Sequence, residues 1–176
     1  MRQLPNILTA TRLLLVPVIV YFYLANSGTS WLVFTLFFLA GLSDYVDGEV
    51  ARRTGAITEF GKLWDPIADK LVIGAALILL TIDSVIPVVI TILILVREIS
   101  VTVARLVSLQ HGVLAADRGG KLKTMLQGFS LLFFLSPADL SMIALPMLYV
   151  ATVITLVTGV RYFGQLRELR SGNAAG

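Results

Sequence analysis

The sequence predicts an all-α polytopic membrane protein with six transmembrane helices, and three observations carry that prediction. Of the 176 residues, 57% are apolar, with a mean hydropathy of +0.88. Only 14% are charged, against roughly 25% in an average soluble domain. At that composition a soluble domain of this size lacks the polar groups to cover its surface, which excludes a soluble enzyme, a disordered tail and a nucleic-acid module. The third observation is how the 14 Lys and Arg residues are sorted along the chain. With no cysteine, the chain has no disulfide, thiolate metal site or Cys nucleophile, and one histidine (His111) speaks against a His-ligand cluster or a Ser-His triad.

A span needs about 20 mostly apolar residues, and the apolar runs place helices at about 7–25, 31–53, 60–82, 85–110, 121–136 and 141–165. The first begins with a polar stripe of Asn6, Thr9 and Arg12 after Pro5 and continues through Leu13–Ala25. That run resembles the apolar core of a signal peptide, but the following Asn26–Ser30 stretch lacks a small-x-small cleavage site, so it is read as retained. The second helix carries the run Trp31–Val46 on into a polar segment ending near Arg53. The third rises from Gly61 into Leu71–Ile82, and Asp83, Ser84 and Pro87 then impose a turn before the fourth, Val85–Val96 and onward. Lys121 and Lys123 open the fifth helix, and the sixth is built on Met142–Val160. Tyr21, Tyr23 and Trp31 fall where an interfacial aromatic belt is expected. Residues 1–170 form one domain, and 171–176 read as a disordered tail.

Charge sorting supports this count. The connections near 26–30, 82–86 and 136–141 hold no Lys or Arg, so all 14 basic residues fall on the other side. Basic residues stay cytoplasmic, which puts both termini inside. Merging 71–96 into one span would break the sorting.

Two stretches carry the chemistry, Ser43–Arg52 and Gly61–Lys70. Asp44 and Asp47 are three apart and Asp65 and Asp69 four apart, so each pair shares a helix face. Consecutive antiparallel helices bring the two faces to one depth near the inner headgroups. Carboxylates in a membrane are costly and repel one another. Divalent cations offset that cost, and an all-oxygen donor set favours two Mg²⁺ or Mn²⁺ ions. Small residues fit the same picture: Gly48 and Gly61 permit close approach, Gly48 would admit a pyrophosphate to the backbone, and Arg52 offers a fork for phosphate oxygens. Each piece alone has a plainer structural reading, a proton relay for an acid pair or packing for a glycine.

Taken together, Asp-x2-Asp-Gly-x2-Ala-Arg-x8-Gly-x3-Asp-x3-Asp, unbroken from Asp44 to Asp69, resembles the signature of the CDP-alcohol phosphatidyltransferases. That resemblance implies a six-helix membrane enzyme, dimeric, with two divalent metals and an active site open to the cytoplasm. By position it makes Asp44, Asp47, Asp65 and Asp69 metal ligands and Asp69 also the general base. Gly48, Arg52 and Thr58 would hold the CDP group, and the polar stripe of Asn6, Thr9 and Arg12 turns its helix end toward that nucleotide site. Further segments (Pro5–Arg12, Asp65–Lys70, Arg97–Thr102 and Gly120–Thr124) are similar to the bacterial phosphatidylglycerophosphate synthase branch of the family. That similarity implies transfer of a phosphatidyl group from CDP-diacylglycerol to sn-glycerol 3-phosphate, releasing CMP, at the bacterial inner membrane.

A phosphorylated acceptor needs cations of its own. Candidates in the cytoplasmic half are Arg97, Arg105, Lys121 and Lys123. For Arg97 with Glu98 the plainer reading is a structural ion network, and for Lys121 and Lys123 it is the positive-inside bias. Lys62 and Lys70 either tune the carboxylates or snorkel to the interface. Competing functions are the same chemistry on phosphatidylglycerol (cardiolipin synthesis) or an inositol phosphate, a cation transporter using the acid cluster, and an intramembrane aspartyl protease. A transporter is expected to show broken helices or paired repeats at mid-membrane, and the protease needs two aspartates rather than four.

Overall fold

The computed structural model describes residues 4–54, 59–108 and 118–173. Within them the chain forms six helices and no strand: α1 Leu4–Ala25, α2 Trp31–Thr54, α3 Glu59–Ile82, α4 Val88–Ser108, α5 Arg118–Leu135 and α6 Ser141–Asn173. The helices run alternately up and down. Three short connections, 26–30, 83–87 and 136–140, close one end of the bundle, the short-loop end; the opposite, basic end carries the Lys and Arg residues. α1 packs on α2 and α3, while α6 packs on α5 and α4.

Local chemistry sets the short-loop end. After α1 the Gly28 N–H donates to Tyr23 O at 2.8 Å, with Gly28 at φ +122° in a region that favours glycine. Ser30 caps α2, its hydroxyl accepting from Val33 N–H at 3.3 Å. Asp139 caps α6 by accepting from Ser141 Oγ at 2.6 Å and Ser141 N at 3.2 Å. Those bonds hold its carboxyl below the usual range.

Four helix boundaries differ from the sequence expectation by three residues or more, the starts of α1 at Leu4 and α5 at Arg118 among them. α4 begins at Val88 rather than 85, because a residue preceding proline avoids the helical region and Ile86 stands before Pro87. α6 runs through Asn173, so residues 171–173 continue the helix rather than leave it. The preceding Gln165, Leu166, Arg167 and Glu168 are strong helix formers that carry it on. α3 begins at Glu59 and stays helical through Pro66.

The core runs along the bundle axis through Ile19, Phe37, Leu77, Leu80, Ile94, Leu131 and Leu148, with Ala40, Ala76 and Ala144 at close helix contacts. Apolar side chains also stand exposed on every helix, among them Leu14, Phe38, Ile78, Ile92, Phe129 and Val153. An apolar surface of that extent fits a lipid environment. Among the described residues one helical stretch, Ser141–Glu168, is by itself long and apolar enough to cross a membrane.

The aromatic belt needs one correction. Tyr21 and Trp31 are exposed, but Tyr23 is 2% exposed, and its hydroxyl donates to Asp83 Oδ2 at 2.6 Å. It is a buried pin joining the α1 end to the α3–α4 connection, because burial demands a partner for the phenol and Asp83 supplies one.

Candidate active site

Helix register sets the depth of every candidate. Arg12 lies thirteen residues before the end of α1, Asp44 thirteen after the start of α2 and Asp69 thirteen before the end of α3. At about 1.5 Å per residue this is roughly 20 Å from the short-loop end in each case. Asp47 and Asp65 form the next layer, sixteen and seventeen residues from those same ends. The backbone thus brings the four aspartates to two adjacent levels on α2 and α3.

Asp44 is the member of that quartet whose side chain is described. Its Oδ1 lies 2.8 Å from Arg12 Nη1, with Arg12 1% and Asp44 48% exposed. α1 packs on both α2 and α3, so a buried guanidinium enters the acid layer from a third helix and fixes one of its carboxylates. The half-exposed Asp44 carboxylate, and a quartet of hard oxygen donors on consecutive helices, fit a divalent cation.

Asp47, Gly48 and Arg52 lie on α2, Asp65 and Asp69 on α3, Asn6 and Thr9 on α1, Arg105 on α4 and Lys121 on α5. Their side chains, like Thr58 and His111 as a whole, lie outside the described residues.

A second cluster sits beside the quartet. Glu98 of α4, 5% exposed, receives Lys70 of α3 on Oε2 and Lys123 of α5 on Oε1. Arg97 Nη1 also donates to Oε1, at 2.7 Å. Adjacent positions on a helix point about 100° apart, and the length of the arginine bridges the gap. Arg97 Nη2 donates to Thr158 Oγ1 on α6 at 2.9 Å, and the hydroxyl in turn donates to Ile154 O at 2.8 Å. Gly159 makes room for this contact: a Cβ there would stand 3.0 Å from Arg97 Cγ. Lys70 and Lys123 each stand twelve residues from the short-loop end of their helix and Glu98 ten, close to the depth of Asp44.

Arg97 and Lys123, two of the four cations expected to meet an acceptor phosphate, therefore share one carboxylate, and Lys70 joins them. Sequence reasoning put Arg12 on the stripe facing the nucleotide and weighed Glu98, with Arg97, as a structural ion network or a wall of the acceptor pocket, but it named neither Asp44 nor Lys123 as their partners. Equal distance from the helix ends was the signal that would have found both.

Residues 2–160 match the family model of the CDP-alcohol phosphatidyltransferases. The chain is 41% identical over 174 residues to a probable phosphatidylglycerophosphate synthase of Mycobacterium tuberculosis, covering 95% of this chain and 83% of that protein. It is 37% identical over 171 residues to the CDP-diacylglycerol–glycerol-3-phosphate 3-phosphatidyltransferase of Rickettsia typhi (93% and 96% covered). With the protein of that name from Bacillus subtilis it shares 35% identity over 193 residues (98% and 100% covered).

Proposed function

The chain belongs to the CDP-alcohol phosphatidyltransferase family, and on that footing we propose that it transfers the phosphatidyl group of CDP-diacylglycerol to sn-glycerol 3-phosphate, giving phosphatidylglycerophosphate and CMP. The observation that carries the choice of acceptor is the cation cluster on Glu98, standing at nearly the depth of Asp44. A phosphate monoester carries about −1.5 to −2 at neutral pH, and Lys70, Arg97 and Lys123, gathered on Glu98, set three cationic side chains close to the depth of the acids. A neutral alcohol would bring no charge for those cations to meet.

In this reading six spans cross the bacterial inner membrane with both termini cytoplasmic, and the basic end faces the cytoplasm. The exposed apolar surface on every helix and the sorting of Lys and Arg support it. Two Mg²⁺ or Mn²⁺ ions, held by Asp44, Asp47, Asp65 and Asp69, would supply charge neutralisation at the pyrophosphate of CDP-diacylglycerol. Arg12 keeps Asp44 in place. Gly48, Arg52 and Thr58, with Asn6 and Thr9, are assigned to the CDP moiety. Asp69 is assigned to take the proton of the acceptor hydroxyl, whose oxygen attacks the phosphorus bearing the diacylglycerol while CMP leaves. Arg105 and Lys121 extend the cationic approach for the acceptor. A homodimer is the assembly that goes with this reading.

The test is release of CMP from CDP-diacylglycerol by purified protein with a panel of acceptors, before and after EDTA. Turnover is expected with glycerol 3-phosphate, and with added Mg²⁺ or Mn²⁺ only. Activity surviving EDTA sinks the two-metal assignment, and turnover with phosphatidylglycerol alone moves the acceptor to the cardiolipin reaction.

A further inference from the structure

Arg12 is the only charged residue of α1, and the bundle encloses it almost completely. With Ile19 and Tyr23, at positions i, i+7 and i+11, it forms the buried seam of that helix. The seam is held at both ends. Tyr23 donates to Asp83 at one, and at the other Arg12 Nη1 meets Asp44 Oδ1 at 2.8 Å. This fixes the rotation of α1, and with it the side from which the guanidinium reaches Asp44. Asp44 itself is half exposed, and its Oδ2 has no partner among the described residues. One carboxylate thus presents two unlike oxygens, the first against a buried cation and the second open. Arg12 takes part in other interactions as well, and none of them changes which oxygen of Asp44 it occupies.

We propose that Arg12 is a positioning residue that biases which ion the aspartates hold: by occupying Oδ1 of Asp44 it makes that carboxylate a one-oxygen ligand through Oδ2, suited to Mg²⁺ or Mn²⁺ and poor for Ca²⁺. The proposal rests on the two-metal reading above. A divalent ion bonded to Oδ1 at about 2.0–2.6 Å would stand within roughly 5 Å of the Arg12 guanidinium. Like charges that close repel strongly where little water screens them. An ion on Oδ2 alone avoids that approach. Mg²⁺ loses little by this, because it demands a near-ideal octahedron and keeps several waters, and the narrow bite of one carboxylate does not fit those angles. Mn²⁺ likewise suits an octahedral oxygen site. Ca²⁺ takes about six to eight oxygens in a flexible shell and accepts both oxygens of one carboxylate, so it gives up a ligand. Arg12 acts here through Asp44.

The experiment follows the unfolding temperature of the protein in detergent as Mg²⁺, Mn²⁺ or Ca²⁺ is titrated in without substrate, for wild type, Arg12→Met and Arg12→Lys. Losing the guanidinium removes both a repulsion and a brace. The three ions carry the same charge, so those changes act on all of them alike and cancel in the ratio of half-saturating concentrations. In Arg12→Met that ratio should move toward Ca²⁺ by roughly tenfold, the lower end of what a partner behind a metal ligand is worth. The Ca²⁺ needed to halve Mg²⁺-supported CMP release should fall in step. Arg12→Lys keeps a charge without the fork that fixes it. Its ratio should move the same way by less, and it carries the test if the Met variant does not fold. A Ca²⁺-to-Mg²⁺ ratio unchanged from wild type, or an equal change in binding of all three ions, overturns the proposal. A wild type that none of the ions stabilises overturns the two-metal reading itself, before Arg12 is touched.

Discussion

Gly159 is the point at which the packing of the charged cluster can be tested without removing a charge. A Cβ there lies 3.0 Å from Arg97 Cγ and 3.2 Å from Arg97 Nε, so alanine requires the arginine stem to retreat by a few tenths of an ångström. The stem is not a loose end, because Nη1 is bonded to Glu98 at 2.7 Å and Nη2 to Thr158 at 2.9 Å. Two effects then compete. Replacing a glycine inside a helix by alanine gains about 0.8–1.0 kcal/mol in propensity, whereas overpacking costs about 1–3 kcal/mol. Gly164 supplies the reference: it too lies inside α6, and a Cβ there meets nothing within 4 Å. Comparing Gly159→Ala with Gly164→Ala cancels the propensity gain and leaves the contact, a difference of about 1–3 kcal/mol. For a chain of this size about 2–4 °C accompanies each kcal/mol, so Gly159→Ala should unfold roughly 2–12 °C below Gly164→Ala in detergent. Equal midpoints would refute the claim that α6 is fitted against Arg97.

Removing the Arg12 guanidinium (Arg12→Met) should destabilise by about 1.5–3 kcal/mol, the worth of a hydrogen bond to a charged group. The larger penalty of a fully buried broken pair does not apply, because Asp44 is 48% exposed and keeps its water; thermal unfolding measures it, and Arg12→Lys should recover only part. Asp69→Asn is expected to lose turnover and retain binding of CDP-diacylglycerol, while Arg52→Ala weakens that binding first; wild-type turnover by Asp69→Asn removes it as the base. In this Cys-free chain, cysteines at Ser30, Ser84 or Ser141 should react with an impermeant reagent outside intact cells and cysteines at Thr54 or Ala116 should not. Labelling of the second group would overturn the six-span proposal.

Much of the fold was legible because its signals are local. Six apolar runs and three connections without a basic residue are enough to count six helices, and the structure has them in that order. What sequence missed depends on specific neighbours. Pro87 moved the start of α4 through its effect on the residue before it, and Tyr23 was taken for a belt residue because nothing in its own surroundings names Asp83, 60 positions away. The placing of the four aspartates at two adjacent levels of α2 and α3 was legible from spacing. Its support was not: Arg12 and Asp44 are 32 positions apart, and Lys123 and Glu98 25. Pairings of that kind arise from how helices pack, which periodicity within one helix does not encode.

The positions of the first charges nonetheless form a pattern that spans the helices. Counting from the short-loop end, α1, α2, α3 and α5 each run only twelve or thirteen residues before meeting a charged side chain (Arg12, Asp44, Lys70 and Lys123), and α4 runs nine before Arg97. α6 runs twenty, to Arg161. At about 1.5 Å per residue, twelve or thirteen residues cover roughly 18–20 Å, about 10 Å short of a hydrocarbon core near 30 Å thick. This explains why, among the described residues, only the α6 stretch is recognisable as a span by composition. It also gives the shortfall a meaning under the six-span proposal. Five helices stop being apolar at nearly the same depth, and the charges that begin there pair across helices, Arg12 with Asp44 and Lys70 and Lys123 with Glu98. A polar layer of that kind, set about 10 Å inside the boundary of the apolar core, lets a lipid substrate keep its acyl chains among the exposed apolar faces while its pyrophosphate reaches the aspartates. A water-soluble acceptor then arrives at the same layer from the basic end, so neither substrate has to cross the medium of the other.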